Sequence, residues 1–362
     1  MSELLVLSAA ASAIKLTINL KKICPLPRNN GGCSHLMDYG FKTIDEATGT
    51  IWYFVADGNG EIILGTHYSK IVVEYAISNF TEDWSKLFTD CNKKLYEFTK
   101  QMEKEGLPYD STGTTLTIVG IRPNREIICA NVGDSTCFII SKKPENLPTY
   151  ECMIGNHTLS NMDEVCRVMR AGGSPMYETL GGSTIPILTK VKGKWFKTKN
   201  ELLGSVPFTD VYGTLATRIY VDDEPTVKDT RMLGYFELLE KGIVSCTPSV
   251  HIYTPDPDEA LCVVVGSDGM SDSTHIGHII QTIMRGDLIG KDEIASEALL
   301  QAVLFQGHTL IGGGFQGGFP KFGSKMDNSI VGVHYVSGPS FSKVTVTSGF
   351  KRKRVEVADE PE

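Results

Sequence analysis

The chain has 362 residues, of which 41% are hydrophobic and 22% are charged, and its formal net charge is −8. This length fits one large domain or two domains of ordinary size, and the apolar content suffices for a sizeable core. The acidic balance argues against a nucleic-acid binder that depends on neutralising phosphates. Beyond the N-terminus, no stretch approaches the roughly 18 uninterrupted apolar residues of a membrane helix, so we expect a soluble protein with no membrane contact.

The cysteines and the N-terminus bear on the cellular compartment. The nine cysteines are odd in number, scattered, and lack any Cys-x-x-Cys pair, which favours reduced thiols. Residues 1–20 are apolar, but Glu3 precedes the apolar run and Lys15 interrupts it. We interpret this segment as a buried first strand rather than a targeting segment. We therefore expect a cytoplasmic protein, with the nucleus as the alternative location.

Predicted strands and helices follow one another without regular alternation. The strand-like segments are short and apolar, and they cover residues 51–56, 115–121, 126–130, 136–141, 261–265 and 329–335. Apolar residues at helical spacing predict a helix over residues 84–102, and further helices are predicted over residues 161–170, 275–285 and 293–305. Gly106 is predicted to end the first of these helices, and Asn161 to cap the second. The strands between residues 115 and 141 are predicted to form a meander, and the whole order favours an α+β layered domain.

The chain shows no sign of a division into two halves. No period of 20 to 50 residues repeats, and no proline-rich or serine-rich linker interrupts the sequence. We predict one domain over residues 1–345 and a flexible charged tail over residues 346–362. Residues 312–323 are too rich in glycine for a helix or an interior strand, so they are predicted to form a loop.

Three aspartates stand beside predicted strands, and each is followed by a small or turn-forming residue. They are Asp57, Asp268 and Asp327. If the strands converge at one edge of a sheet, the carboxylates would repel one another unless a cation neutralises them or one takes up a proton. An all-oxygen ligand set suits Mg²⁺ or Mn²⁺, and the sequence shows no matching histidine or cysteine set for zinc.

Six short motifs occur in an order that resembles the signature motifs of type 2C protein phosphatases. They are VADGNGE (55–61), STGTT (111–115), ANVGDS (130–135), LATRIYVDDEP (215–225), VVGSDGMSD (264–272) and DNSIVGV (327–333). Each motif alone is weak, but together they span most of the chain. The resemblance implies a sandwich of two antiparallel β-sheets flanked by helices, which agrees with the α+β prediction.

The resemblance also implies a metal site and a reaction. Asp57 would bridge two Mg²⁺ or Mn²⁺ ions, the Gly58 carbonyl would bind one of them, and Asp268 and Asp327 would complete the pair. These catalytic aspartates would act through a metal-bound water that attacks phosphorus in a phosphoserine or phosphothreonine. The positions that hold a third, weaker ion in some members correspond to Asp134 and Asp272. Asp38 matches a supporting aspartate of the family's early motif.

Three positions depart from the family pattern. In CSHLMDYG (33–40), Cys33 stands where the family has a phosphate-binding arginine, and Met37 stands where it has a glutamate. A thiol cannot bind a phosphate with two parallel hydrogen bonds, and a thioether cannot replace a carboxylate acceptor. Asn59 replaces the histidine that usually follows Asp-Gly. A neutral amide cannot act as a general acid near pH 7, so protonation of the leaving group should suffer.

Two hypotheses follow. The first is a divergent Mg²⁺- or Mn²⁺-dependent serine/threonine phosphatase whose substrate is a phosphoprotein. The alternative is a pseudophosphatase that acts as a protein-binding scaffold, with residues 173–213 as a candidate contact surface. Two further residues are interpreted as structural rather than catalytic: His157, because a lone histidine usually is, and Arg218, which the resemblance aligns with an arginine of the family.

Overall fold

The computed structural model describes residues 24–26, 28–29, 36–106, 112–143, 146–155, 157–159, 161–179, 184–186, 188–191, 194–197, 215–222, 224–312 and 329–336. The strands are β1 (Cys24–Pro25), β2 (Arg28–Asn29), β3 (Asp38–Ile44), β4 (Ile51–Asn59), β5 (Gly113–Thr114), β6 (Leu116–Ile121), β7 (Ile127–Val132), β8 (Thr136–Lys142), β9 (Thr149–Cys152), β10 (Ser174–Thr179), β11 (Thr184–Pro186), β12 (Leu188–Val191), β13 (Lys194–Lys197), β14 (Leu215–Val221), β15 (Glu224–Pro225), β16 (Leu233–Gly234), β17 (Ser249–Tyr253), β18 (Ala260–Gly266) and β19 (Ser329–Val336). The helices are α1 (Ile62–Ser78), α2 (Trp84–Lys104), α3 (Met162–Arg170), α4 (Phe236–Glu240), α5 (Asp268–Ser273), α6 (Ile276–Ile283) and α7 (Asp292–Gly312).

Two large antiparallel sheets form the body of the fold. The larger has the strand order β1-β3-β4-β6-β7-β17, with β5 pairing with both β4 and β16. The smaller has the order β2-β19-β18-β8-β9. Two accessory sheets, β11-β10-β14-β15 and β12-β13, come from the segment between α3 and α4.

The described residues form four buried apolar clusters, of which three are layers of the sandwich and the fourth lies around α3, β14 and α4. Between the two sheets lies a buried cluster to which both contribute, including Tyr53 and Val119 from the larger sheet and Ile139 and Val263 from the smaller. A second cluster packs α1 and α2 on the outer face of the larger sheet, and a third packs α5, α6 and α7 on the outer face of the smaller. The expected α+β sandwich with flanking helices is confirmed.

Burial on both faces explains the sequence of the central strands. Every residue of β6, β7 and β18 is buried, because one face of each strand meets the opposite sheet and the other meets helices. These strands therefore consist largely of continuous apolar residues instead of alternating with polar ones.

Most predicted elements are present with small shifts at their ends. Helix α2 begins at Trp84 as expected, its N-cap Asp83 accepts a hydrogen bond from the Lys86 N–H at 3.1 Å, and Gly106 follows with a φ of +80°. Helix α3 is capped by Asn161, as predicted. Helix α1 was not among the predicted elements. Its many β-branched residues are typical of strands, and packing against the larger sheet outweighs that preference.

Two local predictions were wrong. The segment Asp57-Gly58-Asn59 does not form a turn after the strand, because β4 continues through it and pairs with β3 and β5. The predicted meander is also broken. Strands β6 and β7 form a hairpin in the larger sheet, but β8 pairs with β18 in the smaller sheet, so the chain crosses between sheets at residues 133–135.

Several predictions fall outside the described residues: the first strand within residues 1–20, the loop over residues 313–323 and the tail over residues 346–362. Helix α7 runs to Gly312, which is the first residue of the predicted loop. Among the described residues, no helix combines the length and apolar character needed to cross a membrane.

Candidate active site

Asp57 is fixed near the end of β4 by the threonines of the STGTT segment. The Asp57 N–H donates to Oγ1 of Thr115 at 2.9 Å. The Asp57 carbonyl accepts from the Thr115 N–H at 2.8 Å and from the Thr114 hydroxyl at 2.9 Å. Three hydrogen bonds therefore hold the backbone of this aspartate on one side, which restricts where its side chain can point.

At Gly58, the backbone of β4 is in direct contact with the backbone of α1. A Cβ at this position would lie 2.1 Å from the Gly65 carbonyl oxygen, a distance that no side chain can tolerate. The Gly58 N–H donates to the Met37 carbonyl at 3.2 Å. Glycine is thus required here for packing, independently of the metal-binding role that the resemblance gives to its carbonyl.

Asp38 stands directly opposite Asp57 in the register of β3 and β4. Its side chain is buried, and its Oδ2 accepts a hydrogen bond of 2.6 Å from the Ser267 hydroxyl. Ser267 directly follows the last residue of β18 in the other sheet, and its Oγ also accepts the Ile330 N–H at 3.0 Å. One serine therefore connects the early motif to the strand that follows Asp327.

Asp268 opens helix α5 at the same end of the sandwich. The side chain is buried, and a hydrogen bond with Asp57 is among the causes that lower its pKa, so a carboxyl on β4 meets one on the helix that follows β18. The prediction that Asp57 and Asp268 would come together is consistent with this geometry. Asp327 lies outside the described residues.

Asp134 is placed by the crossing from β7 to β8. Gly133 adopts a φ of +91°, and a Cβ there would lie 2.5 Å from Cγ2 of Thr115. The Ser135 hydroxyl forms a hydrogen bond of 2.6 Å with Thr115. The loop that carries Asp134 and the loop that holds Asp57 are therefore tied together by the same threonine.

Two residues that the sequence analysis missed, Lys228 and Asp229, complete the cluster. Nζ of Lys228 lies 3.0 Å from Oδ2 of Asp268 and 3.1 Å from Oδ2 of Asp134. Asp229 is buried and shares a hydrogen bond with Asp134. The only signal in the sequence is an isolated Lys-Asp pair, which is too common to indicate a site.

The charges in this cluster shift one another's pKa values. Burial raises the pKa of Asp134, and the charge of Asp268 adds to the rise. Burial and the charge of Asp134 raise the pKa of Asp229 well above its ordinary value. Burial alone would raise the pKa of Asp268, but the Lys228 ammonium and the hydrogen bond with Asp57 lower it. Burial opposes the charge of Lys228, yet the carboxylates around it raise its pKa.

The oxygen donors at this end of the sandwich suit a hard divalent cation. Oδ1 of Asp268 and Oδ1 of Asp229 are buried and have no hydrogen-bond partner among the described residues. Such buried oxygens are costly unless a proton or a cation satisfies them. Within the described residues, no three acidic, histidine or cysteine side chains are arranged as a complete metal site.

Of the three residues that depart from the family pattern, the structure describes two, Met37 and Asn59. Cys33 lies outside the described residues. Met37 is half-buried beside α1, with its sulfur 3.2 Å from where a Cβ on Gly65 would be. Asn59 is half-buried, its Nδ2 faces the Met232 sulfur at 3.5 Å, and its Oδ1 is buried without a hydrogen-bond partner among the described residues.

The remaining candidates lie at or near the edge of the cluster. Asp272 is exposed on α5, one turn after Asp268. His157 is buried, and its ring bonds the Ser249 hydroxyl at 2.8 Å and the Gly133 carbonyl at 3.2 Å. This placement supports a structural role under the Asp134 loop. Arg218 lies on β14 in an accessory sheet.

The chain matches the model of a known protein family. The family model for protein phosphatase 2C matches residues 56–308. No curated protein sequence matches the chain.

Three solved structures of phosphatases are similar to this chain. A serine/threonine phosphatase from S. agalactiae is 18% identical over 85% of this chain and 97% of its own, with a TM-score of 0.45. A PPM Ser-Thr phosphatase from Mycobacterium smegmatis, in complex with cacodylate, is 15% identical over 89% and 98%, with a TM-score of 0.44. The Mycobacterium tuberculosis serine/threonine phosphatase PstP/Ppp is 15% identical over 86% and 98%, also with a TM-score of 0.44.

Proposed function

Because the chain belongs to the protein phosphatase 2C family, we propose that it is a Mg²⁺- or Mn²⁺-dependent phosphatase of phosphoserine or phosphothreonine in proteins. The meeting of the Asp57 carboxyl on β4 with the Asp268 carboxyl at the start of α5 is the observation that carries the proposal. Adjacent carboxylates of this kind are a characteristic setting for divalent cations.

Four residues would hold the ions: Asp57, the Gly58 carbonyl, Asp268 and Asp327. Bound there, divalent cations would neutralise charge on the phosphoryl group and supply a water of lowered pKa. The chain's own contribution is to hold these ligands in place. Thr115 fixes the Asp57 backbone, and Ser267 fixes both Asp38 and the start of β19.

Protonation of the leaving group is less assisted here than in a phosphatase with a histidine after Asp-Gly. The Asn59 amide has no proton to give near pH 7, so the leaving oxygen must take its proton from water. We therefore propose slow turnover of phosphoserine and phosphothreonine, whose alkoxides are poor leaving groups, and faster turnover of aryl phosphates.

The test is hydrolysis of an aryl phosphate and a phosphothreonine peptide with Mn²⁺, with Mg²⁺ or with chelator. Asp268→Asn removes one ligand charge and keeps the side-chain shape. Asp287→Asn is the matched control, because Asp287 is exposed and pairs with Arg285. Metal-dependent turnover that chelator and Asp268→Asn abolish, and Asp287→Asn retains, would support the proposal. Turnover equal in the wild type and Asp268→Asn would contradict it.

Two observations favour a second candidate, a pseudophosphatase scaffold. Lys228 places a fixed positive charge between Asp134 and Asp268, and Asn59 lacks acid function. A protein partner would then take the place of a substrate. Metal binding without hydrolysis of either substrate, in a folded protein, would favour this candidate.

A further inference from the structure

Lys228 bridges two aspartates that come from different parts of the sandwich. Asp134 lies in the crossing between β7 and β8, and Asp268 opens α5 after β18. The lysine ammonium is within 3.1 Å of a carboxylate oxygen of each. Its position is therefore the one that a cation shared by these two carboxylates would take.

The local charge balance shows why a cation is needed there. Asp134, Asp229 and Asp268 bring three carboxyls into one cluster, and two of their buried oxygens have no hydrogen-bond partner among the described residues. The Asp229 carboxyl also lies beside that of Asp134. Lys228 supplies the positive charge that contacts two of these three carboxyls, those of Asp134 and Asp268.

We propose that the Lys228 ammonium is the resident cation of the Asp134–Asp268 pair and excludes a divalent ion from it. The resemblance assigned Asp134, with Asp272, to a third ion, and Lys228 takes that ion's place in this chain. The inference deepens the proposed function, because it limits the centre to the two ions held around Asp57.

The geometry of Lys228 makes the idea testable by substitution. Its side chain is 55% exposed, so shortening or neutralising it leaves no large cavity in the core. Lys228→Met keeps the apolar stem and removes the charge, and Lys228→Arg keeps the charge. Lys143→Met is the matched control, because Lys143 also pairs with an aspartate, Asp256, in the loop before β18.

The experiment counts bound Mn²⁺ by equilibrium dialysis and follows the melting temperature with and without Mn²⁺. The wild type, Lys228→Arg and Lys143→Met should bind the same number of ions. Lys228→Met should bind one more, or bind its weakest ion at least about tenfold more tightly, since a positive charge in contact with the ligands is gone. Without metal, the melting temperature of Lys228→Met should lie below that of the wild type. Added Mn²⁺ should raise the melting temperature of Lys228→Met by more than it raises that of the wild type.

A second variant assigns the extra ion to the proposed pair. Adding Asp134→Asn to Lys228→Met should abolish the gain. Two ions in both the wild type and Lys228→Met, with equal affinity and an intact fold, would overturn the inference and leave the proposed function standing. No Mn²⁺ on either protein would overturn both. No ion on the wild type and one on Lys228→Met would uphold the inference and contradict the proposed metal centre.

Discussion

The Ser267 hydroxyl donates a hydrogen bond of 2.6 Å to Asp38 and so links the end of β18 to the start of β3 across the sandwich. Ser267→Ala removes this bond and the one that its oxygen accepts from Ile330. We expect a loss of about 1 to 3 kcal/mol in the free energy of unfolding, since buried polar groups lose their partners. We also expect weaker Mn²⁺ binding, because Asp38 and the start of β19 lose a shared anchor.

Ser296 offers a control for that variant. It is also a buried serine that accepts an N–H from β19, that of Val333 at 2.8 Å, but it lies on α7. Ser296→Ala should cost a similar free energy of unfolding and leave Mn²⁺ affinity unchanged. Equal losses of Mn²⁺ affinity in the two variants would show that the effect is one of global stability. Urea unfolding and Mn²⁺ titration provide the two measurements.

Gly133 and Gly172 form a matched pair, because both have a φ of +91°. A Cβ on Gly172 would meet nothing within 4 Å, whereas one on Gly133 would press on Thr115. Gly172→Ala should therefore cost about 1 kcal/mol of unfolding free energy from backbone strain alone. Gly133→Ala should cost about 2 to 4 kcal/mol, because the clash adds to the strain. Equal costs would show that the Thr115 contact relaxes freely.

Asn59→His would supply an acid near the leaving group. We expect turnover of a phosphothreonine peptide to rise at least about tenfold, because an alkoxide leaving group needs a proton. Turnover of an aryl phosphate with a low leaving-group pKa should change little. Asn59→Gln is the control without a titratable ring. Equal increases on both substrates would contradict a role in leaving-group protonation.

His157 should make the fold sensitive to mild acid. Burial and the charge of Arg231 lower its pKa from 6.5 to about 4. Because the unfolded chain takes up this proton more readily, the stabilisation is complete above pH 6.5 and is lost as the pH falls towards 4. In His157→Gln, the decrease in unfolding free energy over this range should be smaller by about 2 to 3 kcal/mol. His278→Gln, at an exposed position on α6, is the control substitution.

Asp292 should make the free energy of unfolding depend on pH in a more acidic range than His157 does. Burial would raise its pKa, but hydrogen bonds from His334 and from the Tyr335 N–H lower it from 3.8 to about 2. Its contribution is therefore present above about pH 4 and lost between pH 4 and pH 2. Asp292→Asn should remove about 1 to 2 kcal/mol of the acid dependence in that range, as measured by chemical unfolding at each pH. An unchanged curve below pH 4 would contradict this role.

The sequence predicted those parts of the site that follow directly from strands. Asp57 and Asp268 adjoin apolar runs that form central strands, so their positions at one end of the sheets could be inferred. Lys228 and Asp229 lie between β15 and β16 in a segment without periodicity. Their approach depends on β16 pairing with β5, a contact more than 100 residues apart in the chain that no local pattern encodes.

The prediction of a meander was wrong for a related reason. The strands at residues 127–132 and 136–142 are both largely apolar, and short spacing usually means that strands pair. The chain turns out of one sheet and into the other at Gly133, whose backbone is left-handed. The family resemblance supplied the two-sheet arrangement that the local pattern could not.

The crossing at residues 133–135 also determines how the chain can be divided. Strand β8 needs β18 as a neighbour, and β7 needs β17, yet both partners come more than 100 residues later. A fragment that ends at residue 142 would therefore contain parts of both sheets and neither one complete. The two sheets are not separable modules, so they should melt in a single cooperative transition, and the aspartate cluster should be lost with them.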